Sequence, residues 1–400
     1  MRRPALQRGL TLIEMMVVMV IGLVLSLAIF MVLSAGEGRK RTTTSVNDTS
    51  QAGGYAMYVL DKMLRSAGSG FAQSGTYAFG CTLYASKSSS QILPATTALP
   101  APFASVNTGT SGVFRLAPLL IAPGQTTPNM SGQTSDVLVI MGGVAGAGVY
   151  PVTFNGLSTS SALDLPNAVG FQANDIVLVA EDSVSSCMLQ QVSSAFTGAN
   201  TTANSVPLAG TYAAASIGTA NITGYSANGT VMNLGNATNG NVPQFLLVGV
   251  GDNNTLTSYN LLQTDVDSSG TAIAMPLADS VFELHALYGV DPTNSGTVTW
   301  VSPATSTTYS LSALMAGTPA AAALLQSIKA VRVGLILRTS LREKDTIAQP
   351  VPTLFSDLTD ASGTALTYTR TLNDSSTLLE GHYRYRTVES TIPLRNNNMN

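Results

Sequence analysis

The chain has 400 residues, of which 45% are apolar and only 10% are charged, with a formal net charge of -3. This charged fraction is far below the usual quarter of a soluble protein, which argues against a cytosolic enzyme, and the chain lacks the overall basic excess of a nucleic-acid-binding protein. Serine, threonine, asparagine, alanine and glycine take the place of charges, a composition typical of an exported, β-rich protein.

A long apolar run follows a short basic stretch at the start of the chain. Met15–Gly36 contains 22 residues without a charge, and as an α-helix it spans roughly 33 Å, enough to cross the hydrocarbon core of a bilayer. Glu14 stands at the head of this run, where an unpaired carboxylate costs about 2.5 to 3.5 kcal/mol on insertion. Cleavage between Gly9 and Leu10 would create an ammonium group four residues before Glu14, and this group is the expected partner of the acid.

Two ordinary membrane segments are the alternatives. A secretory signal has an apolar core of about 7 to 15 residues with its cleavage site after the core, whereas this run is longer and its candidate cleavage point lies before it. A single-pass anchor remains open, but it gives no reason for an acid at Glu14. Basic residues flank both ends of the run, so the positive-inside rule does not decide its orientation.

The motif at the start of the chain resembles the class III signal of type IV pilins and pseudopilins. The residues that carry the resemblance are a basic leader that ends in glycine and a Thr-Leu-Ile-Glu sequence after an apolar residue: Arg2, Arg3, Arg8, Gly9, Leu10, Thr11, Leu12, Ile13 and Glu14. The resemblance implies that a prepilin peptidase cuts after Gly9 and that Leu10 becomes the N-methylated terminus. It also implies that Glu14 registers the subunit against a neighbour in the filament.

These features divide the chain into four predicted parts. Residues 1–9 are the leader peptide, and residues 10–35 are the transmembrane and filament-core helix. Residues 36–67 form the periplasmic half of the same helix, because apolar residues recur at spacings of three and four up to Ala67. Residues 68–400 are a β-rich globular domain, in which the segment around 198–240, poor in large apolar residues, is predicted to be a loop-rich insertion.

Short runs rich in β-branched residues predict the strands of this domain. They cover 135–141, 174–180, 245–250, 256–262, 281–291, 328–338 and 391–396. The pair 245–250 and 256–262 predicts a β-hairpin around Gly251–Asn254, and 281–291 alternates like a half-buried strand. The predicted fold class is therefore α+β, with a long N-terminal helix packed on an antiparallel β-sheet and an enlarged β-rich region.

The two ends of the chain are similar to PilW-type minor pilins. The similar residues after the membrane segment are Gln51, Tyr55, Ala56, Leu60, Asp61, Leu64, Arg65, Ala67, Gly68, Phe71, Gly80 and Cys81. The last predicted strands are similar as well, so the resemblance covers roughly 9–81 and 281–396. The middle matches only in a few strands.

The chain contains two cysteines, Cys81 and Cys187. An even number of cysteines in an exported domain favours a disulfide bond, with two buried free thiols as the alternative. Such a bond would close a loop of about 100 residues and contribute about 4 to 5 kcal/mol in the chain-entropy model.

No motif in the sequence indicates catalysis, a cofactor or a metal site. The chain has two histidines, His285 and His382, and no CxxC, HExxH or phosphate-binding glycine motif. Asp265–Gly270 has the opening spacing of a calcium loop, but Pro276 occupies the twelfth position, so a hairpin turn is favoured. Tyr383–Arg386 alternates aromatic residues with arginines, and an ion-paired strand edge is favoured over contact with nucleic acid.

The sequence therefore predicts a non-enzymatic minor pilin that primes assembly of a type IV pilus. The subunit is then incorporated into the filament, with the filament tip as one candidate position. The partners that the resemblance implies are the prepilin peptidase, other minor and major pilins, the assembly platform of the inner membrane, and inner-membrane lipid before assembly. The protein would lie in the inner membrane with its bulk in the periplasm, and later on the cell surface. A type II secretion minor pseudopilin and a tip adhesin or DNA-binding subunit remain the alternatives.

Overall fold

The computed structural model describes residues 11–74, 78–106, 112–128, 133–144, 150–182, 185–198, 205–238, 240–262, 266, 272–375 and 378–398. Its first element is a helix of 55 residues, α1 (Leu12–Ser66), which at about 1.5 Å per residue is roughly 83 Å long. No proline interrupts it. It ends where Gly68 takes a left-handed conformation, φ +77°, that glycine adopts without strain.

The described β-structure consists mainly of short strands. In chain order the strands are β1 (Thr82–Lys87), β2 (Ser90–Leu93), β3 (Leu119–Thr126), β4 (Thr134–Gly142), β5 (Val152–Thr153), β6 (Ala162–Asp164), β7 (Asp175–Ala180), β8 (Ser186–Gln191), β9 (Ser205–Pro207), β10 (Ser216–Ile217), β11 (Ala220–Asn221), β12 (Thr230–Asn236), β13 (Gln244–Val250), β14 (Leu256–Asn260), β15 (Met275–Ala278), β16 (Val281–Val290), β17 (Thr299–Val301), β18 (Ile328–Arg338), β19 (Thr353–Leu354), β20 (Tyr368–Thr369) and β21 (Tyr385–Pro393). Two short helices, α2 (Leu311–Leu314) and α3 (Pro319–Ser327), precede β18.

Within the described residues the strands form three larger sheets. Their orders are β2-β1-β8-β7-β12-β5, β15-β14-β13-β4-β3 and β17-β16-β18-β21. The second and third sheets are antiparallel throughout, whereas β1 and β8 of the first sheet run parallel. The small pairs are β10-β11, β19-β20 and β6-β9. A long helix on a mainly antiparallel β-structure is the predicted α+β class, which the structure confirms.

The second half of α1 packs on the sheets through one stripe of side chains. Its buried residues recur at helical spacing: Thr49, Gly53, Ala56, Met57, Leu60 and Leu64. This half of α1 contacts the strands β4, β15, β16, β18 and β21. Its residues Ala56, Met57, Leu60 and Leu64 belong to the main hydrophobic core, to which all three larger sheets contribute. The predicted apolar stripe therefore faces the sheets.

The structure differs from the sequence-based expectation at two strands. The segment around 198–240, predicted to be loop-rich, contains β12, every residue of which is buried between β7 and β5. It was missed because Thr230–Asn236 mixes Asn233, Gly235 and Asn236 with few large apolar residues. The strand β16, predicted to be half-buried, is buried on both faces, because one face meets the main core and the other lies under the 353–368 segment. The boundaries of the predicted parts stay predictions.

Adjacent glycines in α1 give a matched test of its packing. A Cβ atom on Gly53 would lie 2.1 Å from Cδ1 of the buried Leu337, whereas one on Gly54 would meet nothing within 4 Å. We expect Gly54→Ala to raise the free energy of unfolding by about 1 kcal/mol through helix propensity. Gly53→Ala should lower it by about 1 kcal/mol, because overpacking outweighs the same gain. Thermal melts of both variants measure these changes. An equal gain in stability for both variants would contradict the prediction.

Candidate functional site: the N-terminal helix and a buried charge cluster

The first half of α1 is exposed along its whole length. From Leu12 to Leu33 its large apolar side chains are between 52% and 78% exposed, and the fully buried positions of α1 begin at Thr49. In the part of the chain that the structure describes, α1 is the one helix long and apolar enough to span a membrane. An apolar surface of this extent marks contact with lipid or with other proteins.

Glu14 lies at the start of this exposed segment and closes the first turn of α1. One of its carboxylate oxygens, Oε2, accepts hydrogen bonds from the backbone N–H and the hydroxyl of Thr11, both at 3.2 Å. The Thr11 hydroxyl in turn accepts from the Glu14 N–H at 3.3 Å. This reciprocal arrangement is a capping box, which satisfies two backbone donors that the helix itself cannot pair.

The capping role of Glu14 was not predicted, although the sequence contains its signal. Thr11 and Glu14 have the Thr-x-x-Glu spacing of a capping box before an apolar run. The cap leaves the carboxylate exposed at the end of the helix, available to a cation from another group. Gly9 and Leu10, the predicted cleavage and methylation residues, lie outside the described residues.

Two family models match the chain. The model described as Type IV Pilus-assembly protein W matches residues 247–396, and the model of the prokaryotic N-terminal methylation motif matches residues 5–36. The chain is a PilW-like type IV pilin. No curated protein and no solved structure matches it.

The two matches cover the two ends of the PilW-like pilin. The methylation motif extends over the exposed part of α1, and the PilW match begins within β13 and includes the whole β17-β16-β18-β21 sheet. Together they support a minor pilin, a structural component of the type IV pilus, and they imply processing by a prepilin peptidase and interaction with other pilins. The apolar helix and the motif fit a pilin anchored in the inner membrane.

The predicted disulfide bond is present in this PilW-like pilin. Cys81, just before β1, is bonded to Cys187 of β8, and their Cα atoms lie 5.7 Å apart. Both residues are buried in the main core. The bond links the residue before β1 to β8, so it joins the two strands of the first sheet that pair in parallel.

The aromatic and basic residues of Tyr383–Arg386 are used within the protein. The guanidinium of Arg384 makes two contacts with the Glu343 carboxylate, at 2.6 and 3.2 Å, and Arg386 donates to the Ser50 hydroxyl of α1 at 2.8 Å. The ring of Tyr383 lies under the guanidinium of Arg338 at 4.6 Å. These contacts agree with an ion-paired strand edge. The segment Asp265–Gly270, for which a hairpin turn was favoured over a calcium loop, lies outside the described residues except for Val266.

A cluster of buried charges lies at β16, centred on His285 and Glu283. The His285 ring nitrogen Nε2 is 3.2 Å from Oε2 of Glu283, and Nδ1 is 3.7 Å from Oδ1 of Asp136 on β4. Asp136 is fixed by two backbone donors, the N–H groups of Gly124 at 3.0 Å and Ala286 at 2.9 Å. The imidazole therefore lies between two carboxylates from different sheets.

The same cluster continues into the segment after β19. The Tyr368 hydroxyl donates to Glu283 Oε2 at 2.9 Å, and the Arg370 guanidinium lies 2.9 Å from Glu283 Oε1 and 2.7 Å from Glu380 Oε1. Glu283 and Glu380 are almost completely buried. A buried carboxylate is stable only with partners of this kind, so the contacts of Tyr368 and Arg370 with Glu283 hold the 353–375 segment against the sheet.

The cluster determines the charge of His285. Burial by itself lowers the pKa of this imidazole, but its hydrogen bonds to Asp136 and Glu283 outweigh burial and raise the pKa to about 9. The ring is therefore protonated at neutral pH and balances the two carboxylates. Burial and the Glu283 charge raise the pKa of Tyr368, so its hydroxyl stays a hydrogen-bond donor.

Sequence reasoning missed this cluster, although part of its signal was visible. Glu283 and His285 are two positions apart in a strand, which places them on the same face of an otherwise apolar run. Charged residues in such a run are expected to be paired. Asp136 and Arg370, the partners from other elements, are far away in the sequence and only the fold brings them together.

Proposed function

We propose that this PilW-like pilin primes assembly of a type IV pilus and becomes part of the filament after a prepilin peptidase cuts between Gly9 and Leu10. N-methylation of Leu10 follows the cut. The observation that supports this proposal best is the exposed, membrane-length half of α1 with Glu14 at its head. The protein carries out no catalysis of its own in this role.

The helix exchanges one apolar environment for another during assembly. In the precursor, lipid covers the side chains from Leu12 to Leu33. In the filament, the helices of neighbouring pilins cover them, and this exchange requires no unfolding of the globular part, because fully buried residues begin at Thr49. A single apolar surface therefore serves both as the anchor and as the assembly interface.

Glu14 sets the register of the subunit against its neighbour in the filament. Its carboxylate is capped by Thr11 on one side and remains exposed on the other, so it can accept the ammonium group of a neighbour's cleaved N-terminus. In the low dielectric of a helix bundle such a pair attracts far more strongly than in water. A subunit in the wrong register leaves the carboxylate unpaired, which is costly in an apolar environment.

Two substitutions of Glu14 separate its two roles. Glu14→Gln keeps a side chain suited to the capping box but removes the charge, whereas Glu14→Val removes both. If the charge registers the subunit, we expect both variants to be cleaved normally, as measured by mass spectrometry, yet to yield few pili in sheared preparations viewed by electron microscopy. Normal piliation from Glu14→Val would contradict the proposal, and normal piliation from Glu14→Gln alone would reduce Glu14 to a helix cap.

The place of the protein in the pilus follows from the same priming role. A subunit that starts the filament is carried to its tip as later subunits are added below it. Immunogold labelling should therefore find the protein at filament ends. Labelling along the shaft would contradict the tip position without contradicting incorporation, and a loss of secretion rather than of pili on deletion would favour a type II secretion pseudopilin.

A further inference from the structure

A cleft of about 570 Å³ opens beside the buried charge cluster. We name it the His285 cleft; its walls are the middle of β16, the start of β4, residues 123–124 of β3, the 302–305 segment and residues of the 355–368 segment. This volume lies within the range of about 300 to 1,000 Å³ that is usual for small-molecule sites. The assembly role of α1 does not involve the cleft.

The floor of the His285 cleft is rigid and polar. The rings of His285 and Tyr368 lie against each other, with centroids 3.8 Å apart, and both side chains are fixed by the Glu283 carboxylate. Asp136 is held by two backbone N–H groups and is 6% exposed. A ligand would meet groups that are already in place, which lowers the entropic cost of binding.

One wall of the cleft contains a strained residue. Phe355 has φ +59°, a left-handed conformation that bulky side chains rarely adopt. It is held there because its N–H donates to the Glu389 carboxylate at 3.0 Å and its carbonyl accepts from Leu358 at 3.1 Å. Strain of this kind persists where the surroundings impose it, and it clusters at ligand sites.

The charges that face the cleft indicate a neutral ligand. Asp136 and Asp360 both line it and repel an anion; hydrogen bonds from Ser362 and Thr364 lower the pKa of Asp360 and keep it ionised. The protonated His285 lies between Asp136 and Glu283 and offsets part of their negative charge, which weakens the attraction of the cleft for a cation. The groups that remain for a ligand are carboxylate oxygens and hydroxyls.

The other lining groups match a saccharide. The lining includes the hydroxyl-bearing side chains of Ser302, Thr305, Thr364 and Thr367 together with the apolar side chains of Ala304 and Leu366. A sugar ring combines hydroxyl groups at its edge with apolar C–H faces, so it suits a site that offers both kinds of group. We propose that the His285 cleft binds a neutral saccharide of one or two rings, such as the end of a surface glycan.

The test uses the full chain reconstituted in phosphatidylcholine nanodiscs, so that no glycoside detergent competes. Saturation-transfer NMR would probe D-glucose, D-galactose, N-acetyl-D-glucosamine and lactose, with lysine as the cationic probe and inorganic phosphate as the anionic probe. We expect transfer to at least one saccharide and to neither charged probe. Transfer to no saccharide, or transfer to lysine or phosphate alone, would overturn the proposal.

Matched variants test whether the saccharide binds in the cleft. Ala365 lines it and Ala361, four residues away, does not; both are exposed. Ala365→Trp should abolish saccharide transfer and Ala361→Trp should keep it. Thr367→Val, a milder change at an exposed position, should weaken affinity about two- to tenfold through one lost hydrogen bond. Transfer that persists in Ala365→Trp would overturn the assignment, and normal piliation of the same variant would show that assembly is independent of it.

Discussion

Replacing Cys81 and Cys187 together by alanine is expected to lower the free energy of unfolding by about 4 to 5 kcal/mol in the chain-entropy model. The disulfide links residues 106 positions apart, so the unfolded chain without it gains the freedom of a very long loop. For a chain of this size the loss corresponds to a fall in melting temperature of roughly 6 °C, from the average unfolding entropy per residue. Thermal melts of the nanodisc-embedded protein measure it.

Reductant supplies the internal control for this prediction. Dithiothreitol should lower the melting temperature of the wild-type protein toward that of the Cys81→Ala/Cys187→Ala variant and leave the variant unchanged. Equal melting temperatures for wild type and variant without reductant would contradict the prediction. A variant that melts lower than the reduced wild-type protein would show that the buried sulfur atoms also contribute packing, since both lie in the main core.

The long helix could be predicted from sequence because its signals are local. An uninterrupted apolar run, a proline-free continuation and the glycine at Gly68 together set its length, and the structure ends α1 at Ser66. The strands rich in β-branched residues could be predicted equally well. The bounds of β4, β7, β13, β14 and β18 lie within two residues of the predicted bounds. Each of these elements contains enough apolar residues to be recognised from its own sequence.

The elements that were missed depend on contacts between distant parts of the chain. In β12, Asn233 and Asn236 are buried because both donate to the Asp175 carboxylate at the start of β7, at 2.6 and 2.9 Å. No local sequence pattern predicts a polar strand that is stabilised in this way. The parallel pairing of β1 with β8 is also non-local, because about a hundred residues separate the two strands.

The candidate site also has one part that could be predicted from local sequence and one part that could not. Glu14 was recognised from its motif, and its capping bond with Thr11 could have been read from the same four residues. The His285 cluster could not, because Asp136 and Arg370 come from elements on either side of β16 in the sequence. The alternation that predicted an exposed face for β16 was misleading, since its charged side chains are buried in ion pairs.

The stability of the protein is expected to fall as the pH rises from about 6.5 to about 9, the ordinary and the folded pKa of His285. A folded pKa above the unfolded one means that the native state binds the proton more tightly. The stabilisation is therefore complete below the lower value and is lost as the pH passes the upper one. A shift of this size corresponds to about 3 kcal/mol. Asp136 faces the ring from β4, Glu283 from β16 itself and Tyr368 from β20.

The two histidines of the chain provide the variants for this test. His285→Gln removes the group that titrates, so its stability at pH 6 should be lower than that of the wild type and its decline toward pH 9 should disappear. His382→Gln leaves the cluster intact and should keep the wild-type decline. Denaturation midpoints across this pH range measure both. If His285→Gln declined in parallel with the wild-type protein, the proton would reside elsewhere, and the two carboxylates at His285 would need another source of positive charge to be stable in the core.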